Sequence, residues 1–454
     1  MPVSSTHPLY DVRIGQYNKI RDFYYGEDVV KSRTELYLKK LKAQDRHDYD
    51  DYKRRALFFS IISKTVSAMI GLSTAKPASF EGSGPVLEYM RDNERMNLSE
   101  LKKRLLLEMC LMTRCGLLVD RDPEQGPNDW PHVTIYSAED IINWSDDLGK
   151  EFIVLRETSF EPEQDDQFDL VEVTRYRVLT YEYINGEKYY IQQVYDAKDE
   201  LIETVRPDNR GERLTYIPFV PMSHLGLSFK DSKPAMLDVA NINHSHYMTG
   251  ADLENGRHFV GLPTPVILNA DSDKPLYLGS TELLVIPGRN ADAKFLEFTG
   301  QGLKALEVAL ADKERQMVSL SAKALQESPN GSESSEAISL RFNAESASLR
   351  DIVDVVEQAI NTVFLYVADF QNEEPCKILF DKRFVSYKLN PTDAAAWFDL
   401  YQKGAIDIDA LVQIYMAGEV YPDGTSAKEA ARLILQNQKP VETGTNENLE
   451  NEDA

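Results

Sequence analysis

Gln326–Arg341 reads QESPNGSESSEAISLR. Pro329 and Asn330-Gly331 end any helix that reaches them. Ser334 or Ser335 is placed to cap a new one. The glutamates Glu327, Glu333 and Glu336 have no basic neighbour before Arg341. Both flanks have the helical period. Before the strip, Leu303, Leu306, Leu310, Met317 and Leu320 recur at helical spacing over Gly302–Leu325. After it, Leu349, Ile352, Val353, Val356, Ile360, Val363, Phe364 and Val367 do so over Ala337–Phe370. A small, acidic, breaker-rich strip thus separates two long helices, and what stands around it decides whether it is a linker or a loop.

Working outward, the β signal lies on the N-terminal side. TPVIL, LYLGSTELLVIP and AKFLEF form a small β module within Leu262–Phe298. Pro234–Val260 precedes it. This helix is polar for its length and suits packing on copies of itself or lining a wet space. Ile217–Leu225 is a proline-bracketed edge strand. Trp144 onward predicts a meander through Phe152–Thr158, Leu170–Thr180 and Tyr189–Tyr195, with a hairpin turn at Asn185-Gly186. The acidic loop Glu161–Asp169 reads as a solvated turn. Gly116–Asp120 and Val133–Tyr136 are strands. Residues 8–115 are mainly helical, with Tyr49–Leu72 apolar all round and Leu98–Arg114 opened by a cap at Asn97. On the C-terminal side Cys376–Phe384 is a strand. Thr392–Lys403, Asp407–Met416 and Ser426–Asn437 are short helices, with Asp407 at a helix start. The acidic tail Val441–Ala454 has little to bury and is expected to be disordered.

The chain has 454 residues, 42% of them apolar, and a formal charge of −24. That charge opposes adhesion to nucleic acid or anionic membrane by the general surface. The N-terminus lacks a secretory pattern, and the most apolar window, Ala56–Leu72, is interrupted by Lys64 and serines. Three cysteines, Cys110, Cys115 and Cys376, suit a reducing compartment.

Catalytic patterns are missing. The chain has no GxxxxGK[ST] loop, no GxGxxG after a strand, no GxSxG and no CxxC. The nearest metal candidate is His244-x-His246 with His258, but on a helix the first two imidazoles point about 200° apart, so no metal is expected there. Asp271-x-Asp273 and Asp407-x-Asp409 lack the rest of a calcium loop. His224 has no nucleophile pattern around it. No catalytic residue is assigned, and the reading is a structural or interaction protein.

Several stretches resemble one family. They are Arg21–Lys40 (RDFYYGEDVVKSRTELYLKK), Tyr52–Pro77, IPFVPMSHLG, PAMLDVANINHSHYMTGADLENGRHFVGLPTPVI, FLEFTGQGLKALEVALADKERQMVSLSAKAL and SSEAISLRFNAESASLRDIVDVVEQAI. Their order resembles the phage portal proteins, the ring-shaped head-to-tail connectors of tailed phages, over roughly Arg21–Asn437. The resemblance implies a mainly helical α+β portal-type fold. It places a wing at 1–230, a first stem helix at 231–261, a β-rich clip at 262–299 and a second stem helix at 300–325. A tunnel loop follows at 326–337, the long helix and a wing return strand at 338–390, a short helical crown at 391–437 and the acidic tail at 438–454. The crown is short, the clip is compact, and no long C-terminal barrel helix follows.

The resemblance further implies a homododecameric ring at one capsid vertex, without enzymatic activity and without cofactor. Double-stranded DNA would pass through it without sequence specificity. The terminase large subunit, major capsid and scaffold proteins, and head-completion, adaptor and tail proteins would dock on it. Its place would be the virion, and the host cytoplasm during assembly, with no membrane. Ser328, Asn330, Ser332, Ser334 and Ser335 would face the channel. Lys304, Lys323, Glu327, Glu333 and Glu336 would set its local charge, although Lys304 and Lys323 also read plainly as solvated helix positions. Asp271, Asp273, Lys274 and Arg289 would form the clip docking surface. Two other classes compete. A terminase-like ATPase or nuclease of DNA packaging is opposed by the missing P-loop. Another virion ring or adaptor is opposed by the inserted helix–β–helix segment.

Overall fold

The structure, a computed structural model, describes residues 2–42, 44–121, 126, 129–147, 149–163, 166–261, 264–268, 290, 292–296, 301–321, 347–382, 384, 389–418, 420–421 and 425–436. They fall into two compact units, one carrying the elements up to Leu379 and the other the helices after Asn390.

The larger unit opens with α1 (Pro8–Tyr25), α2 (Glu27–Ser32), α3 (Arg46–Arg55) and α4 (Ile61–Thr74). The apolar run Tyr49–Leu72 predicts one helix, but the chain makes two. Ala56 turns extended, Phe58 is buried 4.9 Å from Phe23 and 5.6 Å from Tyr247, and the Phe59 carbonyl accepts from Asn243 Nδ2 at 3.1 Å. Aromatic packing and one side-chain hydrogen bond outweigh helix propensity here.

Next come β1 (Ser79–Glu81), α5 (Pro85–Asp92) and α6 (Leu98–Met112). Asn97 caps α6, accepting from the Glu100 amide at 3.0 Å. The helix is buried along Leu101, Leu105, Leu106 and Met109. Strands β2 (Arg114–Asp120) and β3 (His132–Ser137) pair antiparallel, and β2 is buried along its whole length. Then β4 (Ile141–Ser145), β5 (Phe152–Glu163), β6 (Asp166–Ile184), β7 (Glu187–Asp196) and β8 (Leu201–Val205) form an antiparallel meander in sequence order. Asn185 and Gly186 turn β6 into β7 with φ of 54° and 87°, the left-handed pair that a two-residue hairpin needs. The acidic stretch after Glu161 is less of a turn than its composition predicts, because β5 runs to Glu163 and β6 starts at Asp166.

After the short pair β9 (Asp208–Asn209) and β10 (Glu212–Arg213), β11 (Phe219–Ser223) joins the free edge of β2. Pro221 sits on that edge strand, where its missing N–H breaks no ladder. Helix α7 (Leu237–Gly261), strands β12 (Thr264–Leu268) and β13 (Asp292–Leu296), and helix α8 (Gln301–Ser321) follow. Helix α9 (Ala347–Gln371) is about 38 Å long at 1.5 Å per residue. It buries Leu349, Ile352, Val356, Ile360, Val363 and Phe364 against α6, α5, α4 and the β2–β11 sheet. Strand β14 (Lys377–Leu379) then pairs antiparallel with β1, joining residues 300 positions apart at Ser79 and Leu379.

The smaller unit has α10 (Pro391–Gln402), α11 (Ile408–Ala417) and α12 (Ala427–Gln436). Each start is capped: Asn390 accepts from the Asp393 amide, Asp407 from Ala410 and Ser426 from Glu429. Leu411, Val412, Ala430 and Ile434 form its core, covered by Trp397 and Phe398.

Candidate functional site

The helix α7 contains few large apolar residues, so its polar groups need partners wherever it is buried. The N-terminal helices supply them on one side. Lys19 Nζ donates to Asn241 Oδ1 at 2.9 Å, Tyr52 Oη to Asp252 Oδ1 at 2.6 Å and Arg55 Nη2 to Asn255 Oδ1 at 3.2 Å. His244 Nε2 lies 2.8 Å from the Tyr37 carbonyl, with the ring against Phe23 and Tyr37. These polar positions therefore have partners on the adjoining helices, while Asn241 and Asp252 remain exposed.

On another side α7 meets α8. His246 Nε2 stands 3.3 Å from Glu314 Oε1, Lys313 Nζ donates to the Ser245 carbonyl at 3.3 Å and to Thr249 Oγ1, and Arg257 Nη2 donates to Glu307 Oε1 at 2.9 Å. The two histidines at i and i+2 thus serve different elements, as the helical angle requires. Burial holds the His246 imidazole below its ordinary pKa despite the opposing pull of Glu314. Burial likewise lowers Lys313.

Small residues let the helices approach. A Cβ on Gly250 would stand 4.0 Å from Leu310 Cδ2, and one on Gly256 would stand 2.4 Å from Leu303 Cδ2. Glycine costs a helix about 1 kcal/mol against alanine, and at Gly256 the close contact with Leu303 accounts for it. The helix pair and the strand pair share one antiparallel order. His246 faces Glu314, Gly250 faces Leu310, Gly256 faces Leu303, Thr264 pairs with Leu296 and Leu268 with Asp292. Helix, strand, strand and helix thus form one antiparallel rod. Gly256→Val is expected to loosen it by about 1–3 kcal/mol, the usual cost of overpacking. Amide exchange across Gln301–Ser321 should quicken while that of β2 stays unchanged. Gly256→Ala should do less, because only the far end of Leu303 has to swing away.

Lys304 is exposed on α8. Val308 and Leu320, at 54% and 52% exposure, leave apolar surface on the same helix beside Asp312 and Arg315. Asp271, Asp273, Lys274, Arg289, Lys323, Glu327, Ser328, Asn330, Ser332, Glu333, Ser334, Ser335 and Glu336 lie outside the described residues, as does the acidic tail. Sequence reading missed the clasp residues Thr249, Arg257, Glu307 and Lys313. The signal available was two glycines six residues apart in a helix that is otherwise polar and long.

Reactive chemistry is muted elsewhere. Cys110, Cys115 and Cys376 are buried free thiols, and burial pushes the Cys110 thiol up to about 12. Among the described residues, no group of three or more His, Cys, Asp or Glu is placed to hold a metal ion. No described helix is long and apolar enough to cross a membrane.

A family model described as "Domain of unknown function (DUF4055)" matches residues 235–371, the span from the start of α7 to the end of α9. No curated protein matches the chain. Among solved structures, the chain is similar to one titled "Virion of native gene transfer agent (GTA) particle", at 14% identity and TM-score 0.39, covering 83% of this chain and 94% of that one. It is also similar to "Neck of empty GTA particle computed with C6 symmetry", at 14% identity and TM-score 0.42, covering 82% and 93%. A third is "Neck of native GTA particle computed with C12 symmetry", at 15% identity and TM-score 0.39, covering 76% and 86%.

Proposed function

We propose that this chain is the portal-type subunit of a phage-like particle, a structural protein that assembles into a twelve-membered ring around a DNA channel. The observation that carries the reading is the rod. Two antiparallel helices clasp each other through polar pairs, the two strands between them in the chain pair in the same antiparallel order, and in sequence α8 leads toward the acidic strip and the buried α9. The resemblance of the sequence stretches points the same way. On this reading α7 and α8 are the stem, and the segment holding β12 and β13 is the clip. Gln326–Ala337 is the tunnel loop, and the smaller unit is the crown.

An acidic chain suits this work. Phosphate is repelled by a negative wall, so DNA slides without being gripped. The packaging ATPase, supplied by another chain, would dock at the clip and later give way to adaptor or tail proteins, with capsid protein around the wing. This chain would perform no covalent chemistry.

Electron microscopy of the purified full-length protein tests the ring, and closed rings with twelvefold symmetry are the expected result. Only monomers and small open oligomers under every assembly condition would overturn it. Deleting Pro329–Ser334 tests the loop. Rings are expected to form as before, while DNA retained per particle, counted by quantitative amplification, drops. Unchanged retention would remove the loop's role.

A further inference from the structure

The meander carries an overhang. Strand β4 flanks β5 only over Phe152–Leu155, and β7 flanks β6 only from Arg175 onward. From Thr158 and Thr174 outward, β5 and β6 are therefore a two-stranded ribbon with no strand on either side among the described residues. Such ribbons are marginal in water unless something packs on them. Alternation places Phe160, Phe168 and Leu170 on one face, at 66%, 83% and 55% exposure. Glu172 pairs with Phe160 and shares that face, while Glu163 and Asp169 stand toward the ribbon's far end; all three are exposed and have no ion pair among the described residues. The opposite face is tied internally, with Arg175 Nη2 donating to Glu161 Oε2 at 2.9 Å.

A surface of opposite character lies after α2, at Leu36–Lys42 (LYLKKLK). Leu36 and Leu41 are 64% and 49% exposed. Lys39, Lys40 and Lys42 are exposed, and none has an ion pair among the described residues. Both surfaces are open in the single chain, so they do not cover each other within it. One is acidic and apolar, and the other is basic and apolar. Two different patches that fit each other make a head-to-tail contact, and a head-to-tail contact repeated around an axis closes a ring.

We propose that the β5–β6 ribbon reaches onto the Leu36–Lys42 surface of the next copy of this chain, with Phe160 and Leu170 against Leu36 and Leu41 and the ribbon's carboxylates on the three lysines. The contact rests on the ring reading and adds the place where one subunit holds the next.

The test uses the full-length protein with two sets of variants. In the first, Phe160→Cys and Leu41→Cys are combined. The native thiols are buried, so oxidation reports on the new pair. A ladder of covalent oligomers on a denaturing gel is expected, absent from either single variant. In the second, Glu163→Lys with Asp169→Lys and Glu172→Lys, or Lys39→Glu with Lys40→Glu and Lys42→Glu, should each weaken the single subunit contact by about tenfold, roughly 1.4 kcal/mol, and because a closed ring repeats that loss at every contact, rings should all but vanish. Mass photometry measures it, and combining the two sets should restore rings. All positions are exposed, so an unchanged melting curve confirms folding. Wild-type rings with no ladder and with unaffected charge variants would overturn this contact and leave the ring standing. That outcome is also expected if the ribbon instead serves another particle protein. A cross-link confined to single chains would overturn it as well. A wild-type protein that stays monomeric overturns both the contact and the ring.

Discussion

Gly116→Val is expected to abolish folding of the larger unit. Gly116 sits inside β2 between Cys115 and Leu117, paired with Tyr136 on β3 and Pro221 on β11, in a strand buried along its whole length. The ring of Phe219, from β11, lies directly over it. A Cβ built at Gly116 would stand 2.2 Å from Phe219 Cζ, 2.8 Å from Cε1 and 3.0 Å from Cε2. Three ring atoms at those distances cannot be relieved by turning one methyl aside. The ring has nowhere to go, because Phe219 is 5% exposed and stacks on Phe229 at 6.1 Å. Overpacking by a single group costs about 1–3 kcal/mol. Valine adds three carbons against an aromatic face and a central strand, which puts the loss above about 4 kcal/mol. Expression should yield insoluble protein or a melting curve without a cooperative transition for this unit. Gly116→Ala with Phe219→Leu should recover much of what Gly116→Ala alone loses, because the two changes share one contact. A soluble Gly116→Val protein that melts with the wild type would show that the ring is not held where the structure puts it.

That glycine was readable as part of a strand, since GLLVD follows a helix and alternates little, as a fully buried strand does. Its purpose was not readable, because Phe219 is about a hundred positions away and nothing local connects the two. The same divide runs through the molecule. Caps at Asn97 and Asp407 and the Asn185-Gly186 turn depend on neighbours within a few residues, and the sequence announces them. The break between α3 and α4 depends on Phe23, Tyr247 and Asn243, and an apolar run gives no sign of it. The pairing of β1 with β14 is equally silent, because either strand of three residues is too short to carry a period. In the rod, hydrophobic period locates α8, whereas the partners of α7's polar groups, Lys19, Tyr52 and Arg55, are about two hundred positions away and leave no local sign. The strip that posed the first question, Gln326–Arg341, is bracketed by these elements and lies outside the described residues. Its role as a loop at the end of a clasped helix therefore rests on its flanks.

Arg21→Met is expected to cost the larger unit about 3–5 kcal/mol at neutral pH, the loss found when one partner of a buried ionic group is removed. Arg21 leaves α1 and inserts between two carboxylates. Nη2 donates to Glu108 Oε2 at 2.7 Å, and Nε donates to Glu139 Oε1 at 2.8 Å. The side chains of Arg21, Glu108 and Glu139 are only 17%, 12% and 11% exposed. One guanidinium thereby ties α1 to α6 and to the turn between β3 and β4. Methionine fills a similar volume but leaves two buried carboxylates facing each other. The pH dependence separates this account from lost packing. In the wild type, burial pushes the Glu139 carboxyl up, while the hydrogen bonds and charge of Arg21 outweigh it and hold the carboxyl below its ordinary range. A depressed carboxyl contributes stability that is present above its unfolded value of about 4.3 and is lost as pH falls through the folded value. In the variant, only the hydrogen bonds of the Glu139 backbone and of Ser137 are left to oppose burial, so the carboxyl rises and its penalty is relieved by protonation. The stability gap between the two proteins must therefore be widest near neutral pH and must narrow as pH falls toward 4. Urea unfolding followed by tryptophan fluorescence at several pH values measures it. Adding Glu108→Gln and Glu139→Gln to Arg21→Met removes the stranded charges, and the triple variant should regain stability at neutral pH and lose the pH dependence of the gap. A gap that stays constant from neutral pH to 4 would assign the loss to packing of the arginine stem instead.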